Sequence, residues 1–256
     1  MPKLMPKDKF FDLSDYGRLP GSMFAKLLVN TSVTPIQITL LFGLVGLLAV
    51  FCIIKHYFLL AGILIILKSI IDAADGELAR LKKTPSYSGR YLDSIFDIIL
   101  NSFILLAICF ISSSSILICF LSFLAIQLQG TLYNYYYVIL RNKSVSGDST
   151  SKVFEYKTPV AFAIEKQSTV NFLFKVYIVC YGVFDAVIHY LDKKAYRVVT
   201  FPNWFMTLSS IYGLGFQLLI IAIMLALNLQ DYIEPFFIFY SVFIFLIIFI
   251  RKSSVK

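Results

Sequence analysis

Long apolar stretches, separated by short polar and basic segments, dominate this chain. A helix needs about 20 predominantly apolar residues to cross the hydrocarbon core of a bilayer. Six stretches meet this requirement: 36–55, 57–80, 90–112, 115–140, 204–228 and 232–250. The pattern therefore predicts an all-α fold, a polytopic membrane helical bundle with six transmembrane helices.

A seventh apolar stretch, 170–191, carries polar side chains on one side only. At 100° per residue these side chains fall within about 80° of one another, which leaves a broad apolar face; they are Asn171, Lys175, Asp185 and His189. Such a helix either spans the membrane or lies in its interface. Lys and Arg collect in cytoplasmic loops, and only the interfacial placement puts all the basic clusters on one side. We therefore predict an internal interfacial amphipathic helix here.

The remaining segments fit one membrane-embedded domain over residues 1–256. Residues 1–30 mix aromatic and aliphatic side chains with charges and contain no continuous apolar core, so we predict an interfacial N-terminal segment without a cleavable signal. The stretch 142–202 is predicted to be a cytoplasmic loop that carries the interfacial helix. Pro35 fits the first turn of a helix, which makes Ser32 or Thr34 the expected cap of the first span.

Composition narrows the class of protein. The chain is 59% hydrophobic and 15% charged, and its mean hydropathy is +0.80. The formal net charge of +8 comes from basic residues that flank apolar spans, which favours lipid headgroups over nucleic acid as the partner. The four cysteines lie inside apolar runs without zinc or redox spacings, so we interpret them as small buried hydrophobic residues.

Two stripes of acidic residues stand out against this background. At helical spacing, the second span carries one stripe and the third span another; the first consists of Lys68, Asp72, Asp75 and Ala79, and the second of Gly89, Asp93, Asp97 and Asn101. The loop 81–88 is so short that the two helices must be antiparallel neighbours. The stripes are therefore expected to face each other.

Facing carboxylates in a membrane need compensation. An ionised Asp at the centre of a bilayer costs at least ~2.5 kcal/mol, and Lys68 and Arg80 supply only two positive charges nearby. Converging carboxylate oxygens are the ligands that hard divalent ions prefer, so we predict Mg²⁺ or Mn²⁺, as two ions. A diphosphate is the natural substrate of such a site. Gly76 and Gly89 would let it approach the backbone, and Arg80 could bind its oxygens in a fork.

The same residues form a continuous motif, D-x-x-D-G-x-x-A-R-x8-G-x3-D-x3-D. Its eight fixed positions are Asp72, Asp75, Gly76, Ala79, Arg80, Gly89, Asp93 and Asp97. This motif resembles the signature of the CDP-alcohol phosphotransferase (CDP-alcohol phosphatidyltransferase) family, without any departure in spacing. The stretch 33–44 is similar to the opening of the family's first span, although Ile36 replaces an Asn that often follows the proline.

The resemblance implies a six-helix membrane enzyme, often a homodimer, that splits a CDP-alcohol, releases CMP and joins the phospho-alcohol to an acceptor hydroxyl. It implies that Asp72, Asp75 and Asp93, and partly Asp97, bind the metal ions, and that Asp97 is the general base. The donor would lie against Asp72 and the small or basic positions of the motif, namely Gly76, Ala79, Arg80 and Gly89. The active site would face the cytoplasm.

Two assignments of donor and acceptor are compatible with the motif. Either CDP-diacylglycerol donates to a small polar alcohol such as inositol phosphate, glycerol phosphate or serine, or CDP-choline or CDP-ethanolamine donates to diacylglycerol. The compact six-span layout and the basic loops favour the first. A protein of a different class, a cation- or proton-coupled transporter, would need discontinuous helices and repeated halves, and the sequence shows neither.

Overall fold

A computed structural model describes residues 4–144 and 150–255 of the chain. Within these ranges the chain forms helices and no strand: α1 Arg18–Leu28, α2 Pro35–Ile54, α3 Phe58–Leu81, α4 Tyr87–Ile111, α5 Ile116–Ser144, α6 Gln167–Leu191, α7 Asn203–Ser209, α8 Leu214–Ala226, α9 Gln230–Tyr240 and α10 Phe243–Ser254. Residues 1–3, 145–149 and 256 lie outside the described residues. The predicted N-terminal segment 1–30, the predicted loop 142–202 and the predicted domain 1–256 are therefore described only in part. The all-α prediction is confirmed.

The predicted membrane character is confirmed as well. Length and apolarity alone select α2, α4, α5, α6 and the continuous stretch Gln230–Ser254 as helices that could cross a membrane, with α7 and α8 as one further bent pair. The central helix α3 is just as long, but Lys68, Asp72 and Asp75 interrupt its apolar surface. It packs against α1, α2 and α8. The chain is an integral membrane protein.

The start of α2 follows from a few residues, as predicted. Thr34 caps the helix: its side chain accepts a hydrogen bond from the backbone N–H of Gln37 at 3.3 Å, and the Gln37 side chain accepts one from the N–H of Thr34 at 2.8 Å. Pro35 occupies the first turn, where no backbone donor is needed.

The predicted span at 204–228 corresponds to a bent pair of helices, because the chain bends by 49° between α7 and α8. Gly213 at the bend is extended, with ψ 146°. The N-terminal segment fills the space: the backbone N–H of Leu13 donates to Ser210 Oγ at 3.0 Å. A Cβ on Gly215 would lie 1.9 Å from the carbonyl oxygen of Ser14. Residues 13–15 therefore anchor inside the bundle, a long-range contact that helical periodicity does not report.

Helix α1 has the surface expected of an interfacial helix. Its small residues face α3, where a Cβ on Gly21 would lie 2.8 Å from the carbonyl oxygen of Ile70. Leu19, Met23 and Leu27 on the other side are 78%, 68% and 76% exposed. A contiguous exposed apolar stripe fits a helix lying against lipid. Its membrane placement stays a prediction.

The direction of the last helices fixes which parts of the chain meet at each end of the bundle. Near the start of α5, Ser114 donates to Glu234 at the start of α9. Farther along α5, Gln129 donates to the carbonyl oxygen of Phe237 at 3.0 Å and to Ser241 Oγ at 2.8 Å. Helices α9 and α10 therefore run in the direction of α5, and α10 ends where α4 begins.

Both ends of α6 are held at that same end. Glu165, just before α6, accepts hydrogen bonds from Ser86 and from the backbone N–H of Ser88 at the start of α4. Asp192, just after α6, pairs with Arg251 in the last turn of α10. This arrangement suits a helix lying across one end of the bundle, although its length and composition would also allow a span. The interfacial placement of 170–191 stays a prediction.

Replacing Gly62 by alanine tests the packing of the central helix. A Cβ at this position in α3 would lie 2.7 Å from the backbone carbonyl oxygen of Ala222 in α8, so the helices must separate. We expect Gly62→Ala to destabilise the protein by about 1–3 kcal/mol and to lower its Tm in detergent. Gly130→Ala is the matched control, because its Cβ would meet nothing closer than 3.7 Å. Equal melting of the two variants would contradict this close α3–α8 contact.

Candidate active site

The two predicted acidic stripes meet, but not across a tightly packed helix pair. Helix α2 packs against both α3 and α4, whereas the backbones of α3 and α4 make few close approaches to each other. Glycines permit the approach of α2 to α4, since a Cβ on Gly43 would lie 2.6 Å from the ring of Phe96 and one on Gly46 would lie 2.9 Å from Leu100. The carboxylates therefore face each other across a space that α2 holds open.

Three of the four aspartates converge in this space. One carboxylate oxygen from each of Asp72, Asp75 and Asp93 lies within 4.8 Å of the others. Asp75 is 7% exposed and accepts a hydrogen bond of 2.7 Å from Thr39 Oγ1 on α2. Like charges this close repel strongly in a medium of low dielectric constant. The cluster therefore offers three carboxylate oxygens that could hold a metal ion.

The donor atoms fit a hard divalent ion. Asp93 Oδ1 is buried, and no donor to it is found within residues 4–144 and 150–255. In the same ranges no Lys or Arg nitrogen lies within 4.0 Å of Asp75 or Asp93, because the ion pairs of the cluster go to other carboxylates. Oxygen-only ligands with an unused buried oxygen match the preference of Mg²⁺ and Mn²⁺.

Asp97 has a different environment. The side chain of Lys68 is fully buried, and its ammonium group donates to Asp97 Oδ1. The same nitrogen lies 3.9 Å from Asp72 Oδ2 and 4.9 Å from the centroid of the Phe42 ring. The structure therefore brings three of the four predicted metal ligands together, whereas the fourth, Asp97, accepts a hydrogen bond from Lys68. The ammonium group offsets part of the cost of burying these carboxylates.

The basic and small positions of the motif line the α3 side of the site. Arg80 is held by Glu77, with Nη2 at 2.5 Å and Nε at 3.2 Å from Glu77 Oε2. A Cβ on Gly76 would meet only the guanidinium of Arg80, at 3.4 Å. No close packing contact therefore requires a glycine at position 76, and the space beside it is open. Ala79 is half-buried on the stripe.

The first turn of α4 is capped from two directions. Ser86 Oγ accepts a hydrogen bond of 2.8 Å from the backbone N–H of Gly89, and a Cβ on Gly89 would lie 3.1 Å from this oxygen. Glu165 accepts hydrogen bonds from Ser86 Oγ at 2.8 Å and from the N–H groups of Tyr87 at 3.1 Å and Ser88 at 2.7 Å. Gly89 therefore contributes to the start of the helix that carries Asp93 and Asp97.

The position of Glu165 at the start of α4 changes the pKa of its carboxyl group. Partial burial works to raise its pKa, but the hydrogen bonds from Ser88, Ser86 and Tyr87 outweigh burial and hold the pKa of Glu165 below its ordinary value. A carboxylate at a helix N-terminus also gains from the helix dipole.

The loop before α6 is fixed to α4 by a second acidic residue. Arg90 forms a bidentate pair with Glu155, at 2.5 and 2.6 Å, and Tyr91 Oη donates to the same carboxylate at 2.9 Å. Beside this pair lies a cavity of about 250 Å³, lined in part by Lys152 and Lys157. Sequence reasoning missed Thr39, Glu155 and Glu165, because each acts on a residue far away along the chain.

Comparisons with known proteins identify the family of the segment that contains the motif. The profile described as CDP-alcohol phosphatidyltransferase matches residues 32–192, which contain the whole motif. Over 89 residues the chain is 35% identical to the archaetidylinositol phosphate synthase of Pyrococcus horikoshii, a match that covers 35% of this chain and 47% of that relative. The matched part thus spans about half the length of that protein.

Replacing Glu165 by glutamine tests the cap of α4. We expect a loss of about 1 kcal/mol of stability at neutral pH, the usual effect of removing a helix cap. Because the folded-state pKa is lowered, the carboxylate stabilises the fold above the unfolded-state pKa, and this contribution is lost as the pH falls through the folded-state value. The difference in Tm between wild type and Glu165→Gln should therefore shrink below about pH 4.

Asp231→Asn is the control, since it removes an exposed carboxylate in the first turn of α9. A difference for Glu165→Gln that stayed constant from neutral to acidic pH would contradict the proposed charge-dependent cap.

Proposed function

Because this chain belongs to the CDP-alcohol phosphatidyltransferase family, we propose that it transfers a phosphatidyl-type group from a CDP-activated lipid to the hydroxyl group of a small polar acceptor. The acceptor oxygen attacks the phosphorus next to the lipid alcohol, the bond from this phosphorus to the bridging oxygen breaks, and CMP leaves. The observation that carries the proposal is the convergence of Asp72, Asp75 and Asp93, with Asp97 beside them on Lys68.

The three converging aspartates would hold two divalent ions, Mg²⁺ or Mn²⁺. When bound, the ions neutralise the diphosphate and polarise the phosphorus under attack. Thr39 fixes the carboxylate of Asp75 by its hydrogen bond. Asp93 has a buried oxygen ready to bind. These contacts support a preformed ligand set, which loses little conformational freedom when the donor arrives.

Asp97 would act as the general base and contribute to metal binding only in part. Its carboxylate is 14% exposed and is oriented by Lys68 from across the space between the helices. A carboxylate fixed in this way can accept the proton of the acceptor hydroxyl during attack. Lys68 acts through Asp97 and Asp72 and is therefore a positioning residue.

The donor would lie against the motif on α3 and the start of α4. The open space beside Gly76 admits the diphosphate, and Arg80 is near enough to exchange its contact with Glu77 for phosphate oxygens. Ala79, like Gly76, is small and would leave room for the donor beside the aspartates. Gly89 shapes the first turn of α4, from which Asp93 and Asp97 extend.

The acceptor is proposed to carry a phosphate itself. The matched relative is named for archaetidylinositol phosphate, which makes inositol phosphate the first acceptor to examine. Lys152 and Lys157 beside the cavity at the start of α4 offer positive charge for such a group. Donation of phosphocholine or phosphoethanolamine to diacylglycerol is the alternative within the family.

The site is proposed to face the cytoplasm. Basic residues gather at the end of the bundle where α3, α5 and α10 finish: Lys82, Lys83, Arg141, Lys143, Arg251 and Lys252. This distribution follows the positive-inside rule. A homodimer, which the family resemblance implies, also stays a prediction.

Two substitutions separate metal binding from proton transfer. We expect Asp93→Asn to weaken binding of Mn²⁺, measured by electron paramagnetic resonance, at least tenfold and to abolish release of CMP. Asp97→Asn should reduce turnover by 10²–10⁴-fold, the usual contribution of a general base, while binding of Mn²⁺ and donor survives. If Asp97→Asn lost Mn²⁺ as completely as Asp93→Asn, Asp97 would be a full metal ligand and not chiefly the base.

A substrate panel tests the reaction itself. Purified protein with Mn²⁺ should release CMP from CDP-diacylglycerol or its archaeal ether-lipid counterpart only when inositol phosphate or another polar alcohol is added. Release from CDP-ethanolamine with diacylglycerol would establish the alternative assignment. Failure to release CMP from every donor, with the fold and Mn²⁺ binding intact, would contradict the proposed transfer and favour a transporter.

A further inference from the structure

A second group of potential metal ligands lies at the opposite end of the bundle. Cys109 near the end of α4, Cys119 in the first turn of α5 and Glu234 in α9 each place one ligand atom within 4.8 Å of the others. The three residues are 9%, 3% and 0% exposed. Only the fold brings them together, because Glu234 lies far along the chain from both cysteines.

The carboxylate of Glu234 is buried without a positive partner. Ser112 Oγ donates to its Oε2 at 3.2 Å, and Ser114 Oγ donates to the same oxygen. Its other oxygen, Oε1, is buried and has no hydrogen-bond partner in the part of the chain that the structure describes. No ion pair of Glu234 with Lys, Arg or His occurs in that part either. A buried carboxylate oxygen without a partner has lost its contacts with water and gained none in return, so Oε1 is available to a ligand.

The thiols of Cys109 and Cys119 offer two further donor atoms for a metal ion. As isolated residues they would be small buried hydrophobic groups, and Cys109 Sγ does contact the carbonyl oxygen of Ser114 at 3.8 Å. Together with an orphaned carboxylate oxygen, however, they form a donor set of two sulfur atoms and one oxygen. Such a set selects borderline ions of the zinc class over Mg²⁺ or Mn²⁺.

We propose that Cys109, Cys119 and Glu234 bind one zinc-class divalent ion. The ligand atoms of tetrahedral zinc lie about 3.3–3.8 Å apart, as follows from its bond lengths, so the three side chains need only a small contraction. Both thiols lose their protons on binding, so one divalent ion replaces two protons, the net charge of the site stays at −1, and the carboxylate oxygen gains a partner. The fourth position is left to water.

This ion would join three helices at the end remote from the aspartates. It connects the end of α4, the start of α5 and the start of α9, close to the turn Ser112–Ser115, where Ser113 and Ser115 are exposed and admit water. The proposal is a structural site and does not depend on the proposed transferase reaction.

Cobalt substitution of the full chain in detergent tests the site. With excess Mg²⁺ present for the aspartates, we expect about one Co²⁺ per chain and a near-ultraviolet thiolate-to-cobalt charge-transfer band. The band should be absent in Cys119→Ser and retained in Cys52→Ser, which changes a buried cysteine outside the group. Asp93→Asn should keep the band, because it alters only the other end of the bundle.

Two further measurements keep the proposal falsifiable if Cys119→Ser folds poorly. Glu234→Gln should weaken Co²⁺ binding at least tenfold, and Zn²⁺ should raise the Tm of wild type and Cys52→Ser alike. The proposal would be overturned by a wild-type protein without the band, by unchanged Co²⁺ affinity in Glu234→Gln, or by mass spectrometry showing a Cys109–Cys119 disulfide in the unreduced protein.

Discussion

The structure depends on one electrostatic constraint, the burial of like-charged carboxylates between α3 and α4. Four aspartates share this space with a single fully buried ammonium group, that of Lys68. Repulsion between carboxylates grows as water is excluded, so one positive charge leaves a large deficit. The proposed divalent ions would remove this deficit, and they would find oxygens of Asp72, Asp75 and Asp93 already within 4.8 Å of one another. The same imbalance supports the proposed binding of divalent ions and a diphosphate.

The neighbouring helices hold α3 and α4 at the distance that the four aspartates require. Helix α2 approaches α4 at Gly43 and contributes Thr39 to Asp75, so that one helix sets the distance between the other two. Glu165 fixes the start of α4, and Gly21 lets α1 reach the opposite face of α3. None of these contacts involves a reacting atom. They determine where Asp93 and Asp72 point, and a shift of about 1 Å in such groups is enough to reduce a rate substantially.

Features with a local cause could be predicted from the sequence. Helix positions follow from apolar length, the cap at Thr34 follows from its neighbours, and the aspartate stripes follow from 3.6 residues per turn. Long-range features could not be predicted. The bend at Gly213 lies beside Ser14, which packs so closely that a side chain on Gly215 would clash with it. Likewise, helical periodicity alone treats the four aspartates alike, and only the family resemblance set Asp97 apart; the fold adds that Asp97 is hydrogen-bonded to Lys68.

The position of Lys68 argues for a division of labour among the aspartates. An ammonium group bonded to Asp97 occupies one of its oxygens and weakens the attraction of the other oxygen for a cation. Asp75 and Asp93 have no such neighbour in the described ranges, so the proposed ions should settle between them and Asp72. Asp97 then keeps a free oxygen beside the proposed ions, where a hydroxyl group polarised by them would lose its proton. One buried lysine would thus separate the carboxylates proposed to hold metal ions from the carboxylate proposed to accept a proton.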